Sequence, residues 1–149
     1  MSHRILVTGA SGFVGGSVLH HAPTDWEVVA CARRDMADLP AHVTSHVLDL
    51  TDADRTAAFV AEVKPDAIIH IAAIADIDYS EQHTDEAVAI NAQVTGRLAR
   101  LATEHKARFV FCSTDNVFDG ENGNYLETDP VAPVNFYGRT KVAAEVLIH

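Results

Sequence analysis

At 149 residues, with 48% hydrophobic and 21% charged side chains, the chain suits one globular domain (1–149) with one proper core, and its composition excludes a disordered or fibrous protein. A net charge of −10 argues against nucleic acid or an anionic membrane as the main partner, because either would be repelled over most of the surface. No apolar run approaches the ~18 residues of a membrane span, and Met1-Ser2-His3-Arg4 leads into Ile5-Leu6-Val7 without a signal-peptide pattern, so a cytoplasmic protein is expected.

Arg4 to Thr8 reads as a buried strand that runs into Gly9-Ala10-Ser11-Gly12-Phe13-Val14-Gly15-Gly16, after which Val14, Val18 and Leu19 start a helical apolar pattern. The glycines therefore lie in a strand-to-helix turn. Gly9 permits the tight turn, Gly12 lets a pyrophosphate approach the backbone, and Gly15 allows close packing of helix on strand, with the helix N-terminus facing the phosphates. The turn residues Gly9, Ser11, Gly12, Phe13, Val14 and Gly15 are candidate cofactor contacts.

Trp26 to Cys31 is the second predicted strand. A dinucleotide fold reads the adenosine ribose at its end, where an acidic residue would accept from a 2′-hydroxyl; this chain has Ala32-Arg33-Arg34, and two arginines suit a 2′-phosphate. NADP(H) is thus the preferred cofactor, with NAD(H) the lesser option. The connection 35–41 carries Pro40 and predicts no long helix. Val43 to Leu48 resembles a third strand ending in Asp49-Leu50-Thr51-Asp52, with Thr51 as the expected helix cap and Asp54 its reciprocal partner. The helix that follows places Ala57, Val60 and Val63 on one face and stops before Pro65.

Asp66 to Ala73 predicts a fourth strand, apolar enough to be covered on both faces. His70 within it reads as a core histidine with its hydrogen bonds satisfied, and Ala72, Ala73 and Ala75 leave room for a flat cofactor. From about Glu81 to His105 the pattern Ala87, Ile90, Val94, Leu98, Leu101 predicts the longest helix; Asn91 inside it either faces water or reaches the strand ends. Arg108 to Cys112 is a fifth strand, which delivers Ser113-Thr114-Asp115 to the ligand-binding edge of the sheet. A turn-rich excursion over 119–124 leads to Pro133-Val134-Asn135, which opens the helix of Tyr137 and Lys141. That spacing puts a phenol and an ammonium on one face, one turn apart, where the cation favours the phenolate.

Alternating strands and helices with right-handed crossovers predict an α/β fold, a doubly wound parallel sheet of order 3-2-1-4-5. Cys31 and Cys112, in apolar runs on strands 2 and 5, are expected to be buried thiols too far apart to pair. His42 and His46 have a helical metal-site spacing, but valines interleave them in a strand pattern and no metal is expected.

With these elements in order, the chain resembles the extended short-chain dehydrogenase/reductase superfamily over essentially its whole length. The resemblance rests on T-G-x-x-G-x-x-G at Thr8 to Gly15, Asp49-Leu50, the alanines after strand 4, Asn91, and Tyr137-x-x-x-Lys141. Within it, Ser113-Thr114-Asp115-Asn116-Val117-Phe118-Asp119-Gly120, Tyr125, Glu127, Asp129, Pro133 to Lys141 and Glu145 look most like the dTDP-4-dehydrorhamnose reductase family. That implies a Rossmann-type, NAD(P)H-dependent oxidoreductase that reduces the 4-keto group of a nucleotide-linked deoxysugar in dTDP-rhamnose biosynthesis. In such a reaction Tyr137 donates the proton, Lys141 lowers its pKa and binds the nicotinamide ribose, Thr114 hydrogen-bonds the carbonyl oxygen, and Asp115 lies close to the sugar; Asp49 and Leu50 join the cofactor contacts.

Nucleotide-sugar 4,6-dehydratases resemble the fold but carry Thr-Asp-Glu, where this chain has Asn116 in third place, which serves as neither acid nor base. An epimerase, holding NAD, is opposed by Arg33-Arg34. A non-catalytic alternative is an NADP-binding regulatory module resembling the regulatory subunit of methionine adenosyltransferase. Family members continue past the Tyr–Lys helix into a smaller substrate domain, so the resemblance implies that this chain, ending at His149, is the N-terminal part of a longer reductase and lacks the C-terminal substrate region. The sequence leaves a homodimer open.

Overall fold

The computed structural model describes residues 3–149; Met1 and Ser2, part of the N-terminal stretch read above, lie outside the described residues. The chain forms two compact units, Met1–Ala72 with Arg97–Cys112, and Ala73–Gly96 with Ser113–His149.

The first unit is built on five parallel strands, β1 (Arg4–Thr8), β2 (Glu27–Ala32), β3 (Val43–Val47), β4 (Ala67–His70) and β5 (Arg108–Phe111), in the expected order β3-β2-β1-β4-β5. The apolar runs of β1 and β2 follow from burial on both faces, whereas the edge strands β3 and β5 are largely exposed or half-buried. Ile5, Val7, Val28, Ala30 and Val43 form a core with Leu19 of α1 (Phe13–His21), while the alternate residues Leu6, Val29 and Cys31 are also buried. Strand β4 ends at His70, short of the predicted Ala73. His70 is fully buried and shares a 2.6 Å hydrogen bond between Nδ1 and Thr8 Oγ1, which also accepts from the Ile71 N–H at 3.3 Å. The expected satisfied core histidine thus ties the exit of β4 to the exit of β1.

Helix α2 (Ala53–Val63) differs from expectation at its start. Asp52 is the N-cap, accepting from the Arg55 N–H at 3.0 Å, whereas Thr51 donates its N–H and hydroxyl to Asp49 Oδ1 at 2.9 and 2.8 Å. The Asp52 carboxylate at this position complements the positive helix end. The buried stripe is Thr56, Val60 and Val63, because the Thr56 hydroxyl turns inward onto the Leu50 carbonyl. Lys64, at φ 48°, closes the helix before Pro65. Cys31 is a buried free thiol whose pKa burial pushes up to about 11, but Cys112, just past β5, is exposed rather than buried, contrary to its apolar context. No helix among the described residues is long and apolar enough to cross a membrane.

The second unit holds α3 (Ile77–Gln82), α4 (Thr84–Val88), a π-helical turn (Ala89–Gln93), a 3-10 turn (Asp115–Val117) and α6 (Phe136–Ile148); α5 (Val94–Glu104) follows the π turn and is shared between the units. The single long helix expected over 81–105 is therefore broken. It begins earlier, where Asp76 caps α3 through the Tyr79 N–H at 2.8 Å, and is interrupted at His83, whose ring stacks on Tyr79 with centroids 3.9 Å apart. The π turn widens the helix where the Val94 N–H reaches the Ala89 carbonyl, and the Thr95 hydroxyl donates to the Asn91 carbonyl at 2.7 Å. Apolar periodicity registered the buried face but not these breaks. Gly96 meets Leu147 of α6, with a Cβ position 3.2 Å from the leucine side chain.

The cap assignment is testable by chemical denaturation: Asp52→Ala is expected to lower the unfolding free energy by about 1 kcal/mol, and Asp52→Asn by much less, since the amide oxygen keeps the cap.

Candidate functional site

In the first unit the residues expected to hold a dinucleotide surround the turn between β1 and α1. Gly9 has φ 69°, a conformation open mainly to glycine, and a Cβ there would lie 2.5 Å from the Ala72 nitrogen. A Cβ on Gly15 would overlap the Gly9 carbonyl and stand 2.8 Å from the Ala10 Cα. Gly12 is the N-cap of α1 with no side chain to close it, so the helix presents its first N–H groups to any anion that arrives. Ser11, Gly12, Phe13 and Val14 are exposed, Phe13 by 94%. This turn is a cradle that side chains would fill, and it fits a pyrophosphate.

Arg33 and Arg34 follow β2 directly and are exposed. Asp49 is close enough to feel Arg33; its carboxyl is held below the usual range first by the Thr51 N–H, then by the Thr51 hydroxyl, with smaller help from Arg33 and Arg55. Leu50 is fixed through its carbonyl, which accepts from Arg97 Nη1 at 2.9 Å and Thr56 Oγ1 at 3.3 Å. Arg97, on α5, carried no signal in the sequence for this role.

The remaining candidates lie in the second unit, apart from Ala72 in the first. Helix α6 starts at the expected place, capped by Asn135 Oδ1 on the Gly138 N–H at 2.7 Å and by Glu81 Oε1 of α3 on the Phe136 N–H at 2.7 Å. Tyr137 and Lys141 are both buried, at 8% and 2% exposure, on one face of the helix. Asn91 takes the inward of its two predicted options. Its side chain is 1% exposed, accepts from the Ile74 N–H at 2.7 Å, and donates to the Ile74 carbonyl at 3.0 Å and Thr140 Oγ1 at 2.9 Å. Thr140 in turn donates to the Tyr137 carbonyl at 2.7 Å. Ala73 and Ala75 lie in the coil beside Ile74.

Thr114 caps the 3-10 turn by accepting from the Asn116 N–H at 3.2 Å, and Asp115 follows it. This turn is pressed against α6. A Cβ on Gly138 would overlap the Asn116 carbonyl oxygen and lie 3.0 Å from Pro133 Cβ. At the other end of the contact, the Ser113 hydroxyl donates to Glu145, which follows Tyr137 and Lys141 at the same four-residue spacing. Thr114 is thus held between two ties to the helix that carries Tyr137 and Lys141. Asn116, Asn135, Thr140 and Glu81 escaped the sequence reading as site residues, because polar side chains at caps and turns look alike whether or not they serve a site.

The model of the RmlD substrate binding domain family matches residues 3–149. The chain is 33% identical over 145 residues to methionine adenosyltransferase 2 subunit beta of Bos taurus, covering 97% of this chain and 42% of that one. It is 36% identical over 146 residues to the dTDP-4-dehydrorhamnose reductase of Burkholderia thailandensis, covering 97% and 45%. Among solved structures, the dTDP-4-dehydrorhamnose reductase of Bacillus anthracis in complex with NADP superposes with a TM-score of 0.87 at 30% identity, covering 99% of this chain and 49% of that chain. The chain therefore spans less than half the length of these curated relatives.

The close fit at Gly138 yields a direct test. Gly138→Ala is expected to cost about 1–3 kcal/mol in denaturant unfolding, as overpacking does, whereas Gly123→Ala, whose Cβ would meet nothing, should leave stability nearly unchanged.

Proposed function

We propose that this chain, which belongs to the RmlD substrate binding domain family, binds NADPH and supplies the proton-donating residues for reduction of the 4-keto group of a nucleotide-linked deoxysugar. The observation that carries the reading is the buried Tyr137–Lys141 face of α6, tied to the Thr114 turn at both ends. The glycine cradle of β1–α1 supports the nucleotide half of the reading, because its crowding excludes side chains where a pyrophosphate would need to approach. A cytoplasmic setting accompanies this reading.

The cofactor, when bound, supplies the hydride. This chain's residues do the rest. Gly9, Ser11, Gly12, Phe13, Val14 and Gly15 would hold the pyrophosphate, Arg33 and Arg34 would pair with the 2′-phosphate, and Asp49, Leu50, Ala72, Ala73 and Ala75 would contribute further cofactor contacts. As the ketone is reduced, negative charge develops on its oxygen. Thr114 donates a hydrogen bond to that oxygen, and Tyr137 transfers its phenolic proton to it, leaving an alcohol. Lys141, a cation one turn along, favours the phenolate left on Tyr137 and binds the nicotinamide ribose. Asp115 contacts the sugar.

A second reading is favoured by the 33% identity to the methionine adenosyltransferase subunit, namely a non-catalytic NADP-binding module. Titration with NADPH and NADH, followed by an assay with a dTDP-linked 4-keto sugar, separates the two in the protein as its gene encodes it. Turnover is expected; tight NADPH binding without turnover would leave the module reading standing.

Two variants probe the parts. Joint replacement Arg33→Ala and Arg34→Ala is expected to weaken NADPH by roughly tenfold or more while NADH changes little, since the charge-assisted bonds lost are those to phosphate; equal losses would show that these arginines do not read it. Tyr137→Phe should lower kcat by about 10²-fold or more, the usual scale for a positioned acid, with NADPH affinity retained.

A further inference from the structure

Within the second unit, a directed chain of hydrogen bonds runs from α6 to Thr114. Its sense is set by backbone chemistry. The Gly138 N–H can only donate, and it donates to Asn135 Oδ1 at 2.7 Å. The other face of that amide, Nδ2, must then turn away from the helix, and it donates to Asn116 Oδ1 at 2.9 Å. Asn116 in turn directs its own Nδ2 to Thr114 Oγ1 at 3.3 Å and Asp115 Oδ1 at 3.2 Å. The Asn116 backbone N–H reaches the same Thr114 oxygen at 3.2 Å.

A hydroxyl offers one proton and two acceptor sites. Both acceptor sites of Thr114 are taken by N–H groups of Asn116, so its proton must be donated; it is donated to Asp115 Oδ1 at 3.2 Å. We propose that Asn135 and Asn116 are positioning residues that lock the Thr114 hydroxyl as a hydrogen-bond donor for the substrate oxygen on which negative charge develops. The proposal rests on the reductase reading above. Without the relay, Thr114 could serve equally as an acceptor, a sense that opposes the developing charge. With it, the only exchange open to an arriving ketone oxygen is to replace Asp115 as the acceptor. Thr114 keeps its proton throughout, and the proton that completes the alcohol comes from Tyr137, so no covalent step is added.

The relay resists reversal at each link. Turning the Asn135 amide would set its NH₂ against the Gly138 N–H, and turning Asn116 alone would set two NH₂ groups face to face. Donors polarised in sequence also strengthen one another, so N–H groups on Thr114 make its own proton a better donor.

The test uses two variants that keep the local shape. Asn135→Asp retains an oxygen for the Gly138 N–H, and hence the helix cap, but has no N–H for Asn116. Asn116→Asp removes the side-chain donor to Thr114. In the protein as its gene encodes it, each is expected to lower kcat about tenfold or more, the lower side of what losing an oxyanion donor costs. The apparent affinity for NADPH and the thermal midpoint should stay close to wild type.

A pH profile supplies a readout that a merely structural role would not move. The loss in Asn116→Asp should shrink as pH falls through the carboxylate range, because the protonated carboxyl regains an O–H donor. Asp115, Glu145, Tyr137 and Lys141 also titrate around this site, but they are common to both proteins, so the ratio of variant to wild type isolates position 116. Wild-type kcat in both variants, or a ratio flat with pH, in a protein whose Thr114→Val variant loses activity, would overturn the relay alone. Full activity in Thr114→Val, or no turnover in the wild type, would overturn the relay together with the reading it rests on.

Discussion

The rotational setting of α6 about its own axis is the constraint on which the candidate site depends. The first N–H groups of a helix have no partner within it, and here two of them take side chains from elsewhere, Asn135 for Gly138 and Glu81 for Phe136. A step of one residue rotates a helix by about 100°, so a helix captured at two N–H groups cannot turn to carry Lys141 into water without breaking both. That matters because a buried ammonium is costly, and Lys141 at 2% exposure is the largest of the fully buried side chains. The absence of a Cβ at Gly138 lets the 3-10 turn press directly against the helix. Asn91, through Thr140, fixes the same helix face from the π turn. The burial of Tyr137 and Lys141 is thus held in place by polar contacts around it rather than by apolar packing alone.

A corresponding constraint governs the first unit. Gly9 must both adopt a positive φ and allow the backbone at Ala72 to pass at contact distance. The two demands have one origin. Hydrogen bonding of His70 and Ile71 to Thr8 draws the exit of β4 onto the exit of β1, and the chain leaving β1 then has no room for a side chain as it reverses. A polar pair inside an apolar sheet therefore shapes the β1–α1 turn. The pair is fully buried, with 2.6 Å between His70 Nδ1 and Thr8 Oγ1.

Much of this was legible in the sequence because it follows from spacing. Strand order came from apolar runs alternating with helical periods, the β1–α1 turn from glycines placed between strand and helix, and the Tyr137–Lys141 face from a four-residue interval. What remained hidden depended on which of several equivalent polar groups wins a contact. Thr51 was the expected cap, but the geometry of the turn draws it to Asp49 and leaves the cap to Asp52. The π turn leaves the apolar pattern of 87–101 intact, so periodicity could not reveal it. Cys112 shares its apolar context with Cys31 but lies beyond the end of the outermost strand, where that context no longer implies burial.

The choice of amides at positions 116 and 135 has its own logic. Transmitting a hydrogen-bond direction from a helix N-terminus to a hydroxyl needs groups that accept on one side and donate on the other, which carboxylates cannot do and amides can. It also needs groups that carry no charge. Asp115 and Glu145 already flank the Thr114 segment, and a further carboxylate would oppose an oxygen becoming negative during the proposed reduction. Asn116 meets both requirements. It is also the position at which the dehydratase pattern places a carboxylate, so the residue that argues against an eliminating enzyme is the one proposed to give Thr114 its sense as a donor. On the proposed reading, reaction type and hydrogen-bond direction would be two consequences of one side chain: an acidic group there would move protons, whereas an amide there can only point one.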